Sequence, residues 1–279
     1  MFLLVRSAAL TGYATLARSL ALEPERLVDA VGLTRAALET PDLNVPISRV
    51  AQLLELSASE AGVDDFGLRL AETRRIANLG LLSVIGSEAP SLRHGVQAIG
   101  RYVRLHSEAL SLQLERLETG WLVSPAVFIP QLGRVRQITE MVLAVTHRAF
   151  GELFGEVWRP EMVCFAYPAP HDPSSHRRIF GGSLQFDAVI TGFVCSDEMM
   201  DLRREVTMSL LVRDARTHLE QLLAHSEPGT VARARETIAW LLPTGLCSAE
   251  TVAERLGLER RTLHRRLAHE GQSYTTLVF

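Results

Sequence analysis

The sequence predicts an α+β fold: a helix-rich N-terminal domain with a small, mainly antiparallel sheet, followed by an all-α helix–turn–helix segment. Apolar residues recur at helical spacing near both ends of the chain. In the middle, Leu110, Leu112 and Leu114 alternate with polar residues, which is typical of a half-buried strand. Strand and helix patterns then follow in the order β-β-α-β-α-β-β. Hairpins with helices to one side of a sheet favour the α+β class.

Helical patterns dominate the chain before residue 90. Pro24 suits the first position of a helix, and Gly32 suits the end of the same helix. Ser48 is expected to cap a longer helix that ends at Gly62. A further short helix is expected over residues 78–82. The first forty-five residues are therefore predicted to form short helices and a connector.

The middle of the chain switches between the helical and the strand period. Ser91 opens an amphipathic helix, and a turn at residues 118–120 joins the first strand to a second strand over 121–129 as a hairpin. The later elements are a helix over 137–154, a strand over 162–167, a short helix over 174–180, two strands within 184–194, helices within 197–225 and a helix over 231–242. The polar residues 226–229 mark a domain boundary between residues 1–228 and residues 229–279.

Composition indicates a folded protein with a sizeable core, since 47% of the 279 residues are hydrophobic. No apolar run approaches the roughly 18 residues of a membrane span. The N-terminus also lacks the features of a signal peptide, so we expect a cytoplasmic protein without membrane contact. Cys164, Cys195 and Cys247 are far apart and odd in number. This spacing favours reduced thiols over a disulfide framework or a zinc site.

Residues 248–270 read as two short helices around a tight turn. Ser248 can cap the first helix, and Gly257 stands where a chain leaving a helix often needs positive φ. Apolar residues recur on the inward face of both helices: Val252, Ala253, Leu256, Leu258, Leu263 and Leu267. Basic residues occupy the opposite face of the second helix: Arg260, Arg261, His264 and Arg265. A helix–turn–helix that reads DNA needs this division, although a solvated amphipathic hairpin would show it too.

The run Val-Ala-Glu-Arg-Leu-Gly-Leu-Glu-Arg-Arg-Thr-Leu-His-Arg-Arg-Leu, followed by Glu-Gly-Gln-Ser-Tyr, resembles the first helix–turn–helix of AraC-type transcription regulators. Motifs such as Phe-Gly-Leu-Arg-Leu-Ala-Glu at 66–72 resemble the N-terminal effector domain of one AraC subgroup, which includes regulators of ornithine catabolism. The resemblance implies a regulator whose residues 1–228 bind a small-molecule effector or form a homodimer. Residues 229–279 would then be a partial DNA-binding domain. The net charge of −3 is compatible with a local basic face, because exposed charges act over roughly 8–10 Å.

Two features depart from the family pattern. An AraC-type domain has two helix–turn–helix units, and this sequence ends where the helix that joins them should begin. We therefore expect weak operator binding, because one basic helix supplies about half of the phosphate and base contacts. Glu259 stands where the family usually has a serine cap. By position, Arg261, His264 and Arg265 are expected to contact base edges, while Arg260 and Arg266 contact phosphates or the edge of the core.

An effector site would be an apolar pocket with a few polar groups. Aromatic and histidine side chains of the N-terminal domain are the candidates: Tyr102, His106, Trp121, Phe165 and Tyr167. An amino-acid effector would need a carboxylate partner such as Arg101 or Arg104, whereas a fatty or aromatic acid would need a longer apolar tunnel. The sequence leaves both classes of effector open, and no cofactor is expected.

Two alternatives come from other functional classes. An enzyme is disfavoured because no nucleophile elbow, P-loop, C-x-x-C or H-E-x-x-H motif occurs. His171 and His176 lie close together, but their spacing matches no metal motif and Pro173 favours a loop. The other alternative is a ligand-free dimerisation module that uses the helix over 137–154. The apolar stripe of this helix fits a core position better than an interface.

Overall fold

The computed structural model describes residues 3–74, 81–107, 109–129, 135–203, 210–225, 229–242 and 245–278. The fold is α+β, as predicted. The helices are α1 Tyr13–Ser19, α2 Pro24–Ala30, α3 Ala36–Glu39, α4 Ile47–Ala61, α5 Phe66–Glu72, α6 Leu81–Ser87, α7 Leu92–His106, α8 Arg136–Phe154, α9 Ser174–Phe180, α10 Asp197–Asp201, α11 Leu210–His225, α12 Thr230–Leu241, α13 Ala249–Arg255, α14 Arg260–His269 and α15 Tyr274–Val278. The strands are β1 Leu4–Arg6, β2 Asn44–Pro46, β3 Leu110–Leu117, β4 Gly120–Val127, β5 Met162–Cys164, β6 Ser183–Gln185 and β7 Gly192–Cys195.

The larger sheet has five strands in the order β3-β4-β7-β5-β6. All its pairings are antiparallel except the parallel pair of β5 and β6. The strand and helix order predicted between residues 110 and 195 is confirmed, including the hairpin of β3 and β4. Gly120 adopts a φ of 110° at the hairpin turn, where the Cβ of any other residue would clash with the Cys195 carbonyl oxygen.

The N-terminal region differs from its prediction in two respects. Strands β1 and β2 form a separate antiparallel pair where short helices and a connector were expected. The prediction that Ser48 caps the next helix is wrong, because α4 begins at Ile47 and Pro46 is its N-cap residue. The Ile47 amide donates to the Leu3 carbonyl at 3.0 Å. This bond ties the start of α4 to the small sheet and places Ser48 inside the helix.

Helix α8 runs through the core of the N-terminal domain. It packs against α4, α5 and β4, and its apolar face is buried. Helix α5 approaches it closely at Gly67, where a Cβ would collide with the carbonyl oxygen of Gln137. The Gln137 side chain also accepts the Gly67 amide at 2.8 Å. Since α8 is a core helix, its stripe is already covered by the domain that contains it.

Helix α7 lies on strand β3, and α6 and α11 pack against α7. Ser91 caps α7 as predicted, with its hydroxyl accepting from the His94 amide. Gly100 allows the close contact, since a Cβ there would lie 2.7 Å from the Leu112 carbonyl oxygen. The Leu112 side chain therefore faces α7. Alternation along the strand directs Glu115 to the opposite face of the sheet.

Helices α12 to α15 form the C-terminal segment, in which α13 and α14 make the predicted helix–turn–helix. Ser248 caps α13 by accepting from the Thr251 amide at 3.1 Å, and Gly257 has a φ of 66°. The inward-facing Val252, Leu263 and Leu267 are fully buried. Helix α12 packs against both helices and against β3 and β4. Helix α12 thus lies between the helix–turn–helix and the five-stranded sheet.

Candidate functional site

The basic side chains predicted to contact DNA lie on the exposed face of α14. Arg260, Arg261, His264 and Arg265 are all solvent-exposed. Arg260 pairs with Glu250 of α13, while the ring of His264 lies 6.4 Å from that of Tyr274. In the part of the chain that the structure describes, Arg261 and Arg265 have no side-chain partner. A helix with exposed, unpaired arginines on one face can donate hydrogen bonds to phosphates and to guanine edges.

The start of α14 has a weak cap, as the sequence predicts. Glu259 is the N-cap residue and makes no side-chain capping hydrogen bond. A different carboxylate, that of Glu270, caps α12: it accepts from the amides of Thr230 at 2.6 Å and Val231 at 3.0 Å. Gly229 makes room for this carboxylate, since a Cβ there would clash with it. The capping of α12 by Glu270 was not predicted from the sequence, although Glu270 belongs to the family motif that follows α14.

A cavity of about 610 Å³ lies in the N-terminal domain between α8, the α6–α7–α11 helices and strand β3. Its volume falls within the usual range of small-molecule pockets. The walls are mainly aliphatic, with contributions from Val50, Leu82, Ile99, Val103, Leu110, Leu112, Ile138, Met141, Val142, Val145, Ala149, Leu219 and Leu222. The ionisable side chains on the walls are Arg6, Arg74, Tyr102, Arg148 and Glu152. The cavity can therefore hold an apolar molecule that carries a polar or charged group.

Arg74 is a half-buried charged group on the cavity wall that has no carboxylate partner in the described chain. Its Nη2 donates to the Ala9 carbonyl and lies 3.9 Å from the Met141 sulfur. Its Nε is buried without a hydrogen-bond partner. Burial lowers the pKa of Arg74 to about 10, and no carboxylate of the described chain offsets this effect. The guanidinium has five N–H donors, and the bonds to protein atoms of the described chain involve only Nη2.

Other polar groups on the wall are bonded to protein. Arg148 donates to the Glu72 carbonyl at 2.9 Å, near the end of α5 and close in sequence to Arg74. The Tyr102 hydroxyl donates to Glu220 of α11 at 2.5 Å. Burial, followed by this bond to Glu220, raises the pKa of Tyr102. The Ser111 hydroxyl is an exception, because it is buried without a partner in the described structure.

Of the aromatic residues predicted to bind a ligand, Tyr102 lies on the cavity wall. Arg101 is exposed and pairs with Glu220 at 2.9 Å. Trp121 lies elsewhere, with its Nε1 donating to Asp197 at 2.8 Å. Phe165 is fully buried among the rings of the sheet and α9. His106 and Arg104 were also predicted as ligand contacts, but their side chains lie outside the described part of the structure.

Tyr167, the remaining candidate, belongs to a buried polar cluster formed by Arg136, Glu140, Tyr167 and His176. Glu140 Oε1 accepts from Arg136 Nε at 2.8 Å and lies 2.9 Å from His176 Nε2. Glu140 and His176 are both 0% exposed. Burial, followed by the nearby Glu140 carboxylate, raises the pKa of Tyr167. The cluster joins α8 to α9, and the Nε2 atom of His176 already pairs with the Glu140 carboxylate.

One local feature of the sequence around Arg74 is consistent with its lack of a carboxylate partner. No acidic residue stands three or four positions from it on either side, so a helical ion pair cannot neutralise it locally. Its burial depends on Ala9 and Met141, which are 65 and 67 positions away in the sequence. Periodicity within one segment cannot reveal such contacts.

Comparison with known proteins supports the same functional class. The family described as the N-terminal arabinose-binding domain of AraC transcription regulators matches residues 22–203. The HTH-type transcriptional regulator VirS of Mycobacterium tuberculosis, strains CDC 1551 / Oshkosh and H37Rv, is 30% identical over 275 residues, which cover 96% of this chain and 79% of VirS. The crystal structure of the transcriptional regulator CdpR from Pseudomonas aeruginosa aligns over 91% of this chain and 80% of that chain, with 18% identity and a TM-score of 0.46.

Two kinds of feature, a membrane-spanning helix and a metal-binding group, are absent from the residues that the structure describes. Among them, no helix is long and apolar enough to cross a membrane. No group of three or more histidine, cysteine, aspartate or glutamate side chains in the same residues could hold a metal ion.

Proposed function

Because this chain belongs to the AraC family of transcriptional regulators, we propose that it binds operator DNA through α14 and senses a small molecule through its N-terminal domain. The proposal rests above all on Arg261 and Arg265 of α14, which are exposed and have no side-chain partner in the described chain. A surface that serves only as solvated protein gains little from unpaired charges of one sign. A major groove, in contrast, offers phosphates and base edges to each of them. Because a regulator of this kind acts on DNA, we propose that it is cytoplasmic.

We propose distinct roles for the residues of this face. Arg261, His264 and Arg265 contact base edges, since they lie three and four positions apart and so share one side of the helix. Arg260, which already pairs with Glu250, contacts phosphate instead. One basic helix neutralises few phosphates, so we expect weak binding whose dependence on salt is shallow.

The effector site and the DNA-binding face are connected through two elements. Strand β3 lines the cavity with Leu110 and Leu112, and its Glu115 accepts from Arg255 of α13 at 3.2 Å. Helix α11 lines the cavity with Leu219 and precedes α12 in the chain. We propose that a ligand in the cavity changes the position of one or both elements and so biases the helix–turn–helix.

A ligand-free dimerisation module is the second candidate. The cavity favours a sensor over this alternative, since a module without a ligand gains no stability from 610 Å³ of unfilled volume. We expect the regulator to be a homodimer, because dimeric helix–turn–helix proteins bind two half-sites and so double their DNA contacts. Light scattering of the purified chain tests this expectation directly.

Selection from a random-sequence pool of duplex DNA tests the DNA-binding role. We expect the wild-type chain at low salt to enrich a consensus sequence. Arg265→Ala should relax the preference at one position of that consensus, because a bidentate contact to guanine contributes about 1–3 kcal/mol of discrimination. Arg49→Ala is the matched control, since Arg49 is an exposed helical arginine of the N-terminal domain. Failure to enrich any consensus, or equal effects of the two variants, would contradict the proposal.

A further inference from the structure

We propose that the effector is a carboxylic acid with a compact apolar body, and that Arg74 binds its carboxylate inside the cavity. This inference deepens the proposed sensing function and rests on it. It assigns the chemical class of the ligand, which the sequence left open between amino acids, fatty acids and aromatic acids.

The unpaired guanidinium is the first argument for a carboxylate. A buried charge is costly unless a partner compensates it, and breaking a buried pair leaves that cost uncompensated. Arg74 has a carbonyl oxygen and a sulfur as neighbours, but in the described chain it has no carboxylate. Carboxylates match the planar fork of arginine through two parallel hydrogen bonds. A ligand carboxylate would supply the missing counter-charge at the cavity wall.

The charge balance of the wall points in the same direction. Arg6 is neutralised by Asp42, and Glu152 is engaged in an interaction of its own. Arg148 carries a second positive charge near the same end of α5, where it donates to the Glu72 carbonyl at 2.9 Å. A ligand with a positive charge at this end would face two arginines. An anionic group is therefore favoured over an amine.

The aliphatic walls decide what the rest of the ligand is. Each hydroxyl of a sugar needs a hydrogen-bond partner when it leaves water, and an unpaired one costs several kcal/mol in an apolar setting. The walls around Val142, Val145 and Leu219 are mainly aliphatic, and the Thr146 hydroxyl among them already donates to the Val142 carbonyl. These walls thus fit an alkyl or aryl body, although the family is described by arabinose binding.

Thermal-shift measurements on the full chain test this assignment. The probes are octanoate, decanoate and 4-phenylbutyrate, with their methyl esters as uncharged counterparts and with arabinose and ornithine as polar compounds. We expect at least one of the three acids to raise the Tm and its ester to have a much smaller effect. At a hundredfold excess over Kd, binding to the folded state adds about 2.7 kcal/mol to the free energy of unfolding.

Variants at two arginines locate the carboxylate. Arg74→Met keeps the length of the side chain without its charge, and we expect it to weaken binding of the acid at least tenfold. Arg74→Lys keeps the charge without the fork and should give an intermediate affinity. Arg101→Met is the control, because Arg101 is exposed and does not line the cavity. It should leave the affinity unchanged.

Several outcomes would overturn the inference. Equal shifts by an acid and its ester would mean that Arg74 does not hold a carboxylate. Loss of binding in Arg101→Met but not in Arg74→Met would place the carboxylate elsewhere. A rise in Tm with arabinose alone would show that the ligand is a sugar and not a carboxylic acid. Absence of any shift by the acids would also refute it. The DNA selection described above is independent of these measurements, so failure of the ligand class can be distinguished from failure of the regulatory function.

Discussion

Arg255 and Glu115 form an ion pair between the helix–turn–helix and the five-stranded sheet, with Nη2 and Oε1 separated by 3.2 Å. Both side chains remain partly exposed, at 42% and 35%. The Arg255 guanidinium also lies 3.7 Å from the centroid of the Trp240 ring on α12. One arginine thus contacts both strand β3 and helix α12.

We predict that the Arg255–Glu115 pair contributes about 0.2–1 kcal/mol, the usual range for exposed ion pairs. Glu115→Gln should destabilise the chain by no more than this amount. Arg255→Gln should cost more, since it also removes the stacking on Trp240, which contributes about another 0.5–1 kcal/mol. Urea unfolding of both variants and the double variant gives the pairwise term. Equal costs for the two single variants would show that the Trp240 contact contributes nothing.

The Glu270 cap of α12 gives a second prediction. Its carboxylate bonds two amides that have no helical partner and lies at the positive end of the helix dipole. Glu270→Ala should therefore lower the free energy of unfolding by about 1 kcal/mol, within the range of lost N-caps. Glu259→Ala is the control, since Glu259 occupies an N-cap position without a capping bond and should be nearly neutral. Denaturant titration of the two variants compares them, and equal losses would contradict the assignment.

The buried Glu140 gives a third prediction. Replacing it by alanine would leave Arg136 and His176 without their common partner, and loss of one member of a buried charged pair costs about 3–5 kcal/mol. Glu156→Ala is the control, because the pair of Glu156 with Arg159 is almost fully exposed. We expect that variant to be neutral in chemical denaturation. A loss below about 1 kcal/mol for Glu140→Ala would mean that the cluster relaxes without cost.

Segments with strong local signals could be predicted from the sequence. Alternation at Leu110, Leu112 and Leu114 predicted β3, and Ser91 and Ser248 predicted two helix starts. Strands β1 and β2 could not be predicted this way, since three residues each are too few to show a period. The order of the five-stranded sheet depends on pairings between distant segments, such as β4 with β7.

The site was predictable to different degrees for the same reason. The basic face of α14 lies within ten consecutive residues, so helical spacing alone predicts that its side chains share one side of the helix. The cavity, in contrast, is assembled from six or more elements, and Arg74 becomes important only because Ala9 and Met141 meet it there. Tyr102 was predicted as one of several aromatic candidates for the site, but its partner Glu220 lies 118 positions away.

The pH dependence of stability gives the last prediction. His147 lies among the rings of Trp158, Phe180 and Phe193, and Trp158 Nε1 donates to its Nδ1 at 3.0 Å. Burial lowers the pKa of His147 to about 4. The folded state therefore keeps this imidazole neutral between about pH 6.5 and pH 4, while the unfolded chain takes up a proton there. Stability is then highest above the unfolded pKa and falls as the pH drops through this window, by up to about 3 kcal/mol.

His147→Asn isolates this contribution, because the Asn carbonyl can accept from Trp158 and does not titrate. We expect the variant to lose less stability than the wild type between pH 7 and pH 4.5 in urea unfolding. His171→Asn is the control, since His171 is exposed and should leave the pH profile unchanged. If His147→Asn kept the slope of the wild type, acid sensitivity would arise from other groups. The aromatic cage around His147 would then tolerate its protonation.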